Sequence, residues 1–272
     1  MSFPPPLPEL SGIENGRERK IDLNSKQCNI FDGKWVYDPL QRRIYDIIVP
    51  HHYCEIPRLP DSEYEKWRWE AKDCKIPRYA VSLFLLPQSR AYVNMQSAVH
   101  NVFRALDYIC TVEFFWSPFL VDLNLGSISP SSKYWRGANV MLFNTGHWWV
   151  HTGKFKTTWS QWVEKNVDPS MIIVFFHLSI KGNFFSLEKE WCYNPTQPSM
   201  DDPYNVRFPQ MDGVVRCLNI AHLSQYRIDT HVVTKQQEPF ADCNRWCLPG
   251  LPDTWNELLY ASLLLGTPLQ VL

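Results

Sequence analysis

Three short segments of the 272-residue chain carry side-chain types and spacings that suit acyl or sugar chemistry. The first, Asn144-Thr145-Gly146-His147-Trp148-Trp149, follows an apolar run and reads as the turn at the end of a buried strand. An amide, a glycine, an imidazole and two indoles in one turn suit a polar site with a wall on which the C–H face of a sugar could stack. Asparagine side chains and backbone N–H groups are also the usual donors to the oxyanion of acyl transfer. The second, Asp242-Cys243-Asn244-Arg245-Trp246-Cys247, sets a carboxylate and a guanidinium three residues apart. On spacing alone it reads as a local ion pair in a cysteine-pinned loop. The third, Asp229-Thr230-His231, offers a carboxylate–imidazole pair and reads as a surface turn.

The elements that must position these residues follow from periodicity. Asn139–Phe143, Met171–His177 and Val214–Ala221 are short apolar runs and read as buried strands. Thr157–Asn166 has Trp159, Trp162 and Val163 on one helical face. Thr254 and Glu257 have capping-box spacing ahead of the apolar Leu258–Leu265 run, so a helix is expected there. Strands alternating with helices predict a mostly parallel sheet, an α/β fold, in which these three strands are neighbours. Ligands sit at the carboxyl ends of such strands, which makes the turn after Phe143, the residues after His177 and the stretch after Ala221 the natural site walls. Further upstream, Gln96–Asp107 has apolar residues at helical spacing, Ile109–Trp116 reads as a strand, and Asn124–Ser132 reads as a loop. Residues 28–79 are expected to be poor in regular structure, and residues 1–27 to be a disordered arm.

Composition excludes several classes of function. A formal net charge of −1 lacks the basic excess of a general nucleic-acid binder. No apolar run is long enough to span a bilayer, and Met1–Ser11 has neither the basic nor the apolar part of a signal peptide. The eight cysteines form no C-x2-C pair, so no metal site and no cofactor is expected. Their even number suits a disulfide framework in an oxidising lumen.

The order of longer motifs carries a resemblance. Cys28-Asn29-Ile30-Phe31-Asp32-Gly33-Lys34-Trp35-Val36, Tyr64–Trp69 with Cys74–Arg78, Tyr108–Phe115, Phe143–Trp149, Leu218–Arg227 and Asp242–Leu259 follow one another as in the plant trichome birefringence-like (PC-esterase) family. The chain resembles that family over residues 28–265. The resemblance implies polysaccharide O-acetyltransferases acting on xylan, mannan, xyloglucan or pectin with an acetyl donor, held in the Golgi membrane with the catalytic domain in the lumen. It implies an SGNH-hydrolase-like α/β domain over residues 80–268 and a smaller cysteine-containing N-terminal lobe over residues 28–79. It also implies a Gly-Asp-Ser nucleophile and an Asp-x-x-His pair near the C-terminus. Asn144, Gly146, His147, Trp148 and Trp149 are then the substrate-binding candidates. Cys28, Cys74, Cys192, Cys243 and Cys247 are the disulfide candidates, with Cys192, Cys243 and Cys247 expected close together and Cys217 expected free.

The sequence departs from the family pattern at both decisive places. Gly-Asp-Ser is absent, and the stretch between Leu86 and Val99, where the family would place it, reads as shortened, so the nucleophile segment is deleted. The cysteine that follows the nucleophile in the family is missing too, which leaves Cys54 without its expected partner. Asp242 matches the family aspartate, but Arg245 occupies the histidine position, and a guanidinium cannot act as a general base near neutral pH. Asp242 is therefore read as vestigial and the chain as catalytically impaired. The alternatives are a non-catalytic glycan- or partner-binding relative, or a truncated splice product.

Overall fold

The computed structural model describes residues 12–14, 17–19, 29–40, 63–76, 91–97, 100–105, 110–115, 121–122, 127–128, 132–135, 137–144, 154–177, 195–199, 215–234, 240–247 and 250–265. In chain order the strands are β1 (Gly12–Glu14), β2 (Arg17–Arg19), β3 (Gly33–Tyr37), β4 (Trp67–Ala71), β5 (Ala91–Ser97), β6 (His100–Ala105), β7 (Cys110–Phe115), β8 (Val121–Asp122), β9 (Ser127–Ile128), β10 (Val140–Asn144), β11 (Ile173–His177), β12 (Val215–Leu218), β13 (His231–Thr234) and β14 (Phe240–Trp246). The α-helices are α1 (Ser132–Trp135), α2 (Lys154–Asn166), α3 (Ala221–Gln225) and α4 (Leu251–Leu265).

The centre of the fold is the parallel sheet β10-β11-β12. The chain is thus an α/β protein, with the three expected strands adjacent and in sequence order. Residues alternate between the two faces of β11, as the two-residue strand period requires. Val174 and Phe176 join Met141, Phe143, Trp135 and the α2 residues Trp159 and Val163 in one core cluster. Phe175 joins Leu218, Ile220, Leu223 and the α4 residues Leu251, Leu258 and Ala261 in a second. Ile30 and Trp69 of the N-terminal lobe also belong to that second cluster, so the lobe completes the core on one side of the sheet.

Several expectations are corrected. Gln96–Asp107 is no helix: Ala91–Ser97, His100–Ala105 and Cys110–Phe115 form an antiparallel sheet. Asn101, Val102 and Phe103 are mediocre helix formers, and the strand at Cys110–Phe115 supplies the backbone partners that decide between the two periods. The 28–79 segment contains the β3–β4 pair and a 3-10 turn at Glu63–Lys66. Its strands approach closely at Gly33, where an added Cβ would lie 2.2 Å from the Glu70 carbonyl oxygen. The expected disordered arm contains the β1–β2 hairpin, whose strands are separated by Asn15-Gly16, a dipeptide that favours tight hairpin turns. The expected loop at Asn124–Ser132 includes strand β9, and Ser132 opens α1.

The last helix begins at Leu251, three residues before the expected cap. The Gly250 N–H donates to Asp253 Oδ2 at 2.7 Å, so the aspartate closes the first turn from within it. Thr254 lies inside the helix, its buried hydroxyl without a hydrogen-bond partner among the described residues.

Candidate functional site

The carboxyl edge of the parallel sheet aligns three residues by register. Asn144 pairs with His177, and His177 with Leu218. Asn144 is the last residue of β10 and is exposed, while Met141 and Phe143 on the same strand point into the core. That alternation is why the amide is presented outward at the strand end. Asn219 follows directly after β12, and its Oδ1 is buried with no hydrogen-bond partner among the described residues. Sequence reasoning missed Asn219, because its burial comes from elements remote in the chain. Gly146, His147, Trp148 and Trp149 lie outside the described residues.

Asp242 and Arg245 both lie on β14, which pairs antiparallel with β13 in a separate two-stranded sheet. His231 pairs with Trp246 and the next residue, Val232, pairs with Asp242. Cys243, Asn244 and Arg245 therefore form a bulge opposite a single step of β13. Bulges of this kind re-aim side chains and recur beside active sites. Asp242 stands at one edge of the bulge and Arg245 near the other.

The Asp229-Thr230-His231 segment is buried, not a surface turn: these residues are 3%, 0% and 3% exposed. The cause is Arg227, which sequence reasoning did not single out and which is itself fully buried. Its Nε donates to Asp229 Oδ1 at 2.8 Å, and its Nη2 donates to Asp229 Oδ2 at 3.0 Å and to the Tyr64 carbonyl at 2.6 Å. The guanidinium lies 4.5 Å from the ring centroid of Trp35, whose Nε1 donates to the Leu223 carbonyl at 2.9 Å. A bidentate ion pair, a backbone acceptor and an indole face together clamp the N-terminal lobe to the segment entering β13. From there the Cys247 N–H donates to the Thr230 carbonyl at 2.8 Å, and His231 packs on Trp246 with centroids 5.0 Å apart. The clamp thus reaches the end of the strand that carries Asp242.

Burial raises the pKa of the Tyr64 phenol, with the neighbouring Glu65 carboxylate adding to the effect. Cys74 and Cys247 are disulfide-bonded. Cys110 and Cys217 are free thiols, and burial pushes the Cys217 thiol up to about 12. Cys28, Cys54 and Cys192 lie outside the described residues. None of the described helices is long and apolar enough to cross a membrane.

Comparison with known proteins adds to this geometry. Residues 83–167 and 154–262 match PC-Esterase, the GDSL/SGNH-like acyl-esterase family found in Pmr5 and Cas1p, and residues 26–75 match the PMR5 N-terminal domain. The chain belongs to the PC-esterase family. Among its relatives, protein trichome birefringence-like 6 of Arabidopsis thaliana is 29% identical over 350 positions, covering 92% of this chain and 73% of the relative. Protein trichome birefringence of the same plant is 31% identical, covering 88% of this chain and 56% of the relative, so the chain spans little more than half of that protein. A probable xylan O-acetyltransferase 10 of Oryza sativa subsp. japonica is 28% identical over 87% of this chain and 78% of the relative. The alignment with the first of these has more positions than the 272 residues available, so that PC-esterase relative carries segments this chain lacks.

Proposed function

We propose that this PC-esterase chain binds plant cell-wall polysaccharide, with xylan, mannan and pectin as candidate ligands, and that acyl transfer through its Asp242 centre is impaired. The observation that carries the reading is Arg245, three residues after Asp242 in the β14 bulge, at the position where the resemblance expects a histidine. Acyl transfer to a sugar hydroxyl requires a base that takes a proton near neutral pH, and a guanidinium holds its own proton far above that range. The absence of Gly-Asp-Ser from the sequence removes the acyl-enzyme route as well.

Support for retained glycan binding comes from the carboxyl edge of the parallel sheet. Exposed Asn144 offers an amide group to sugar hydroxyls, beside a sequence that continues Gly146-His147-Trp148-Trp149. The rice relative's name makes xylan the first ligand to try. Disulfides at Cys74 and Cys247 fit an oxidising compartment such as the Golgi lumen, where the resemblance expects the domain.

The test is a calorimetric titration of the purified, disulfide-intact protein with acetylated and unacetylated xylo-, manno- and pectic oligosaccharides. Binding to at least one series, weakened about tenfold or more by Asn144→Ala or Trp148→Ala, is the expected result. No binding to any series, or binding unchanged in both variants, contradicts the glycan-site reading.

A further inference from the structure

The parallel sheet ends in two unlike edges. β12 carries Arg216, a charge of the kind that guards an exposed strand edge against pairing. β10 forms the other edge, and among the described residues it pairs only with β11. Its sequence, Val140-Met141-Leu142-Phe143-Asn144, contains no charged residue, no proline and no glycine. Its register with β11 runs without a break. Every second N–H and C=O of such a strand points away from its one neighbour, so β10 presents a regular hydrogen-bonding edge with none of the usual guards.

One face of that edge strand is apolar and partly uncovered. Val140 pairs with Ile173 and Leu142 with Phe175, so all four share the face on which α4 and the N-terminal lobe pack. That layer encloses Phe175 fully and packs on Ile173, yet Val140 is 40% exposed and Leu142 46%. Met171, in the turn leading into β11, is 64% exposed. The covering layer stops one strand short of the sheet's edge. On the opposite face Met141 and Phe143 are buried in the cluster around α2, which holds β10 in strand geometry within a single chain.

We propose that β10 pairs antiparallel with β10 of a second copy of this chain, joining the two parallel sheets into one continuous sheet. The strand is self-complementary under a twofold axis. With the axis at Leu142, Leu142 lies opposite Leu142 of the second copy, Met141 opposite Phe143, and Val140 opposite Asn144. Directly opposed residues share a face, with Cβ atoms about 5 Å apart, so the two half-exposed leucines cover each other. No like charges meet along the pair. This is what favours a second copy as the occupant: the strand's own sequence supplies uncharged partners at every position. Both copies use the same edge, so the contact is isologous and closes at the dimer, and the edge carrying Arg216 stays outside it. A pair of five-residue strands covers less than the roughly 800 Å² per partner of a standard interface, so the association is concentration-dependent and micromolar. Antiparallel pairing sets the two Asn144 residues at opposite ends of the joined strands, which leaves both carboxyl edges of the sheet open.

The inference does not rest on the glycan-binding reading or on Asp242. Its test is sedimentation velocity on the full disulfide-intact chain from about 1 to about 100 μM, with amide hydrogen exchange read at both ends of that range. Expected are a rise towards twice the chain mass and slower exchange of the Val140–Asn144 amides at the higher concentration. Leu142→Lys sets two ammonium groups face to face across the twofold and should raise the dimer dissociation constant about 100-fold, as should Leu142→Asp with two carboxylates. An equimolar mixture of these two variants sets ammonium against carboxylate and should dimerise again. Glu164→Ala, on α2, should dimerise as the wild type does. A wild-type chain that stays monomeric at the highest concentration overturns the proposal, as does a wild-type dimer in which exchange of Val140–Asn144 is unchanged; neither result needs a variant. Dimerisation undisturbed by Leu142→Lys, or a mixture no more dimeric than its components, overturns it too.

Discussion

Replacing Arg227 with methionine removes one partner of an ion pair that has no access to water. Both partners are enclosed: Arg227 is 0% exposed and Asp229 3%. The orphaned carboxylate would remain buried, and losses of this kind cost about 3–5 kcal/mol. The Tyr64 carbonyl also loses a charged donor, worth roughly 1.5–3 kcal/mol, and the Trp35 face loses a cation–π contact of about 0.5–2 kcal/mol. These losses share one side chain and do not add, so about 4 kcal/mol is the expected total. For a domain of this size that lowers Tm by roughly 10 °C. Arg227→Met/Asp229→Leu removes both charges and should recover more than half of the loss, because well-packed apolar pairs often match buried ion pairs. The assay is urea denaturation followed by tryptophan fluorescence, with Trp35 reporting on the lobe contact. A single-variant loss below about 1 kcal/mol, or a double variant that loses the sum of both singles, refutes the clamp as described.

Three further outcomes follow from the geometry. Cys217, its thiol raised to about 12 by burial, should hold about 10³-fold less thiolate than an ordinary cysteine at pH 8, and iodoacetamide mapping of the native protein should leave it unmodified; alkylation at the rate of a free peptide thiol contradicts this. Gly250 has φ +152° and space for a Cβ only at 3.1 Å from the Cys247 carbonyl oxygen, so Gly250→Ala should cost about 1–3 kcal/mol in the same denaturation assay, and a neutral effect would show that the turn before α4 can relax. The folded-state pKa of Tyr64 lies above its unfolded value of 10.0, so its stabilising contribution is fully present below about pH 10 and is lost as pH rises through the folded value. Tyr64→Phe should therefore flatten the alkaline limb of the stability curve, and an unchanged limb would exclude Tyr64 as its source.

The parallel sheet was legible because its strands are short, apolar and separated by helical periods, and burial on both sides of β11 leaves such runs no other stable setting. Asn144 could be placed at a strand end for the same reason. The Gln96–Asp107 segment was misread because residues spaced three and four apart also suit a strand once a partner is present, and the partner, Cys110–Phe115, decides the matter through backbone bonds that periodicity does not reveal. Burial of Asp229, Thr230 and His231 depends on Arg227 and its acceptor Tyr64, 163 positions away in sequence. No local signal carries that information. Asn219 was missed for the same reason. The cap of α4 was misplaced by a few residues because Thr254–Glu257 and Gly250–Asp253 both have capping spacing, and the structure uses the earlier pair. That Arg245 stands where the resemblance expects a histidine was readable from residue identity alone, and the structure adds the bulge on which it lies.

The proposed impairment of the Asp242 centre is tested most directly by offering the purified chain an acetyl donor with xylo-, manno- and pectic oligosaccharides and reading products by mass spectrometry, beside an Asp242→Ala variant. The account predicts no Asp242-dependent acetylated oligosaccharide, with wild type and variant giving the same product level. Acetylated product made by the wild type and lost in Asp242→Ala would contradict it, and would show that Asp242 still serves a working transferase despite Arg245.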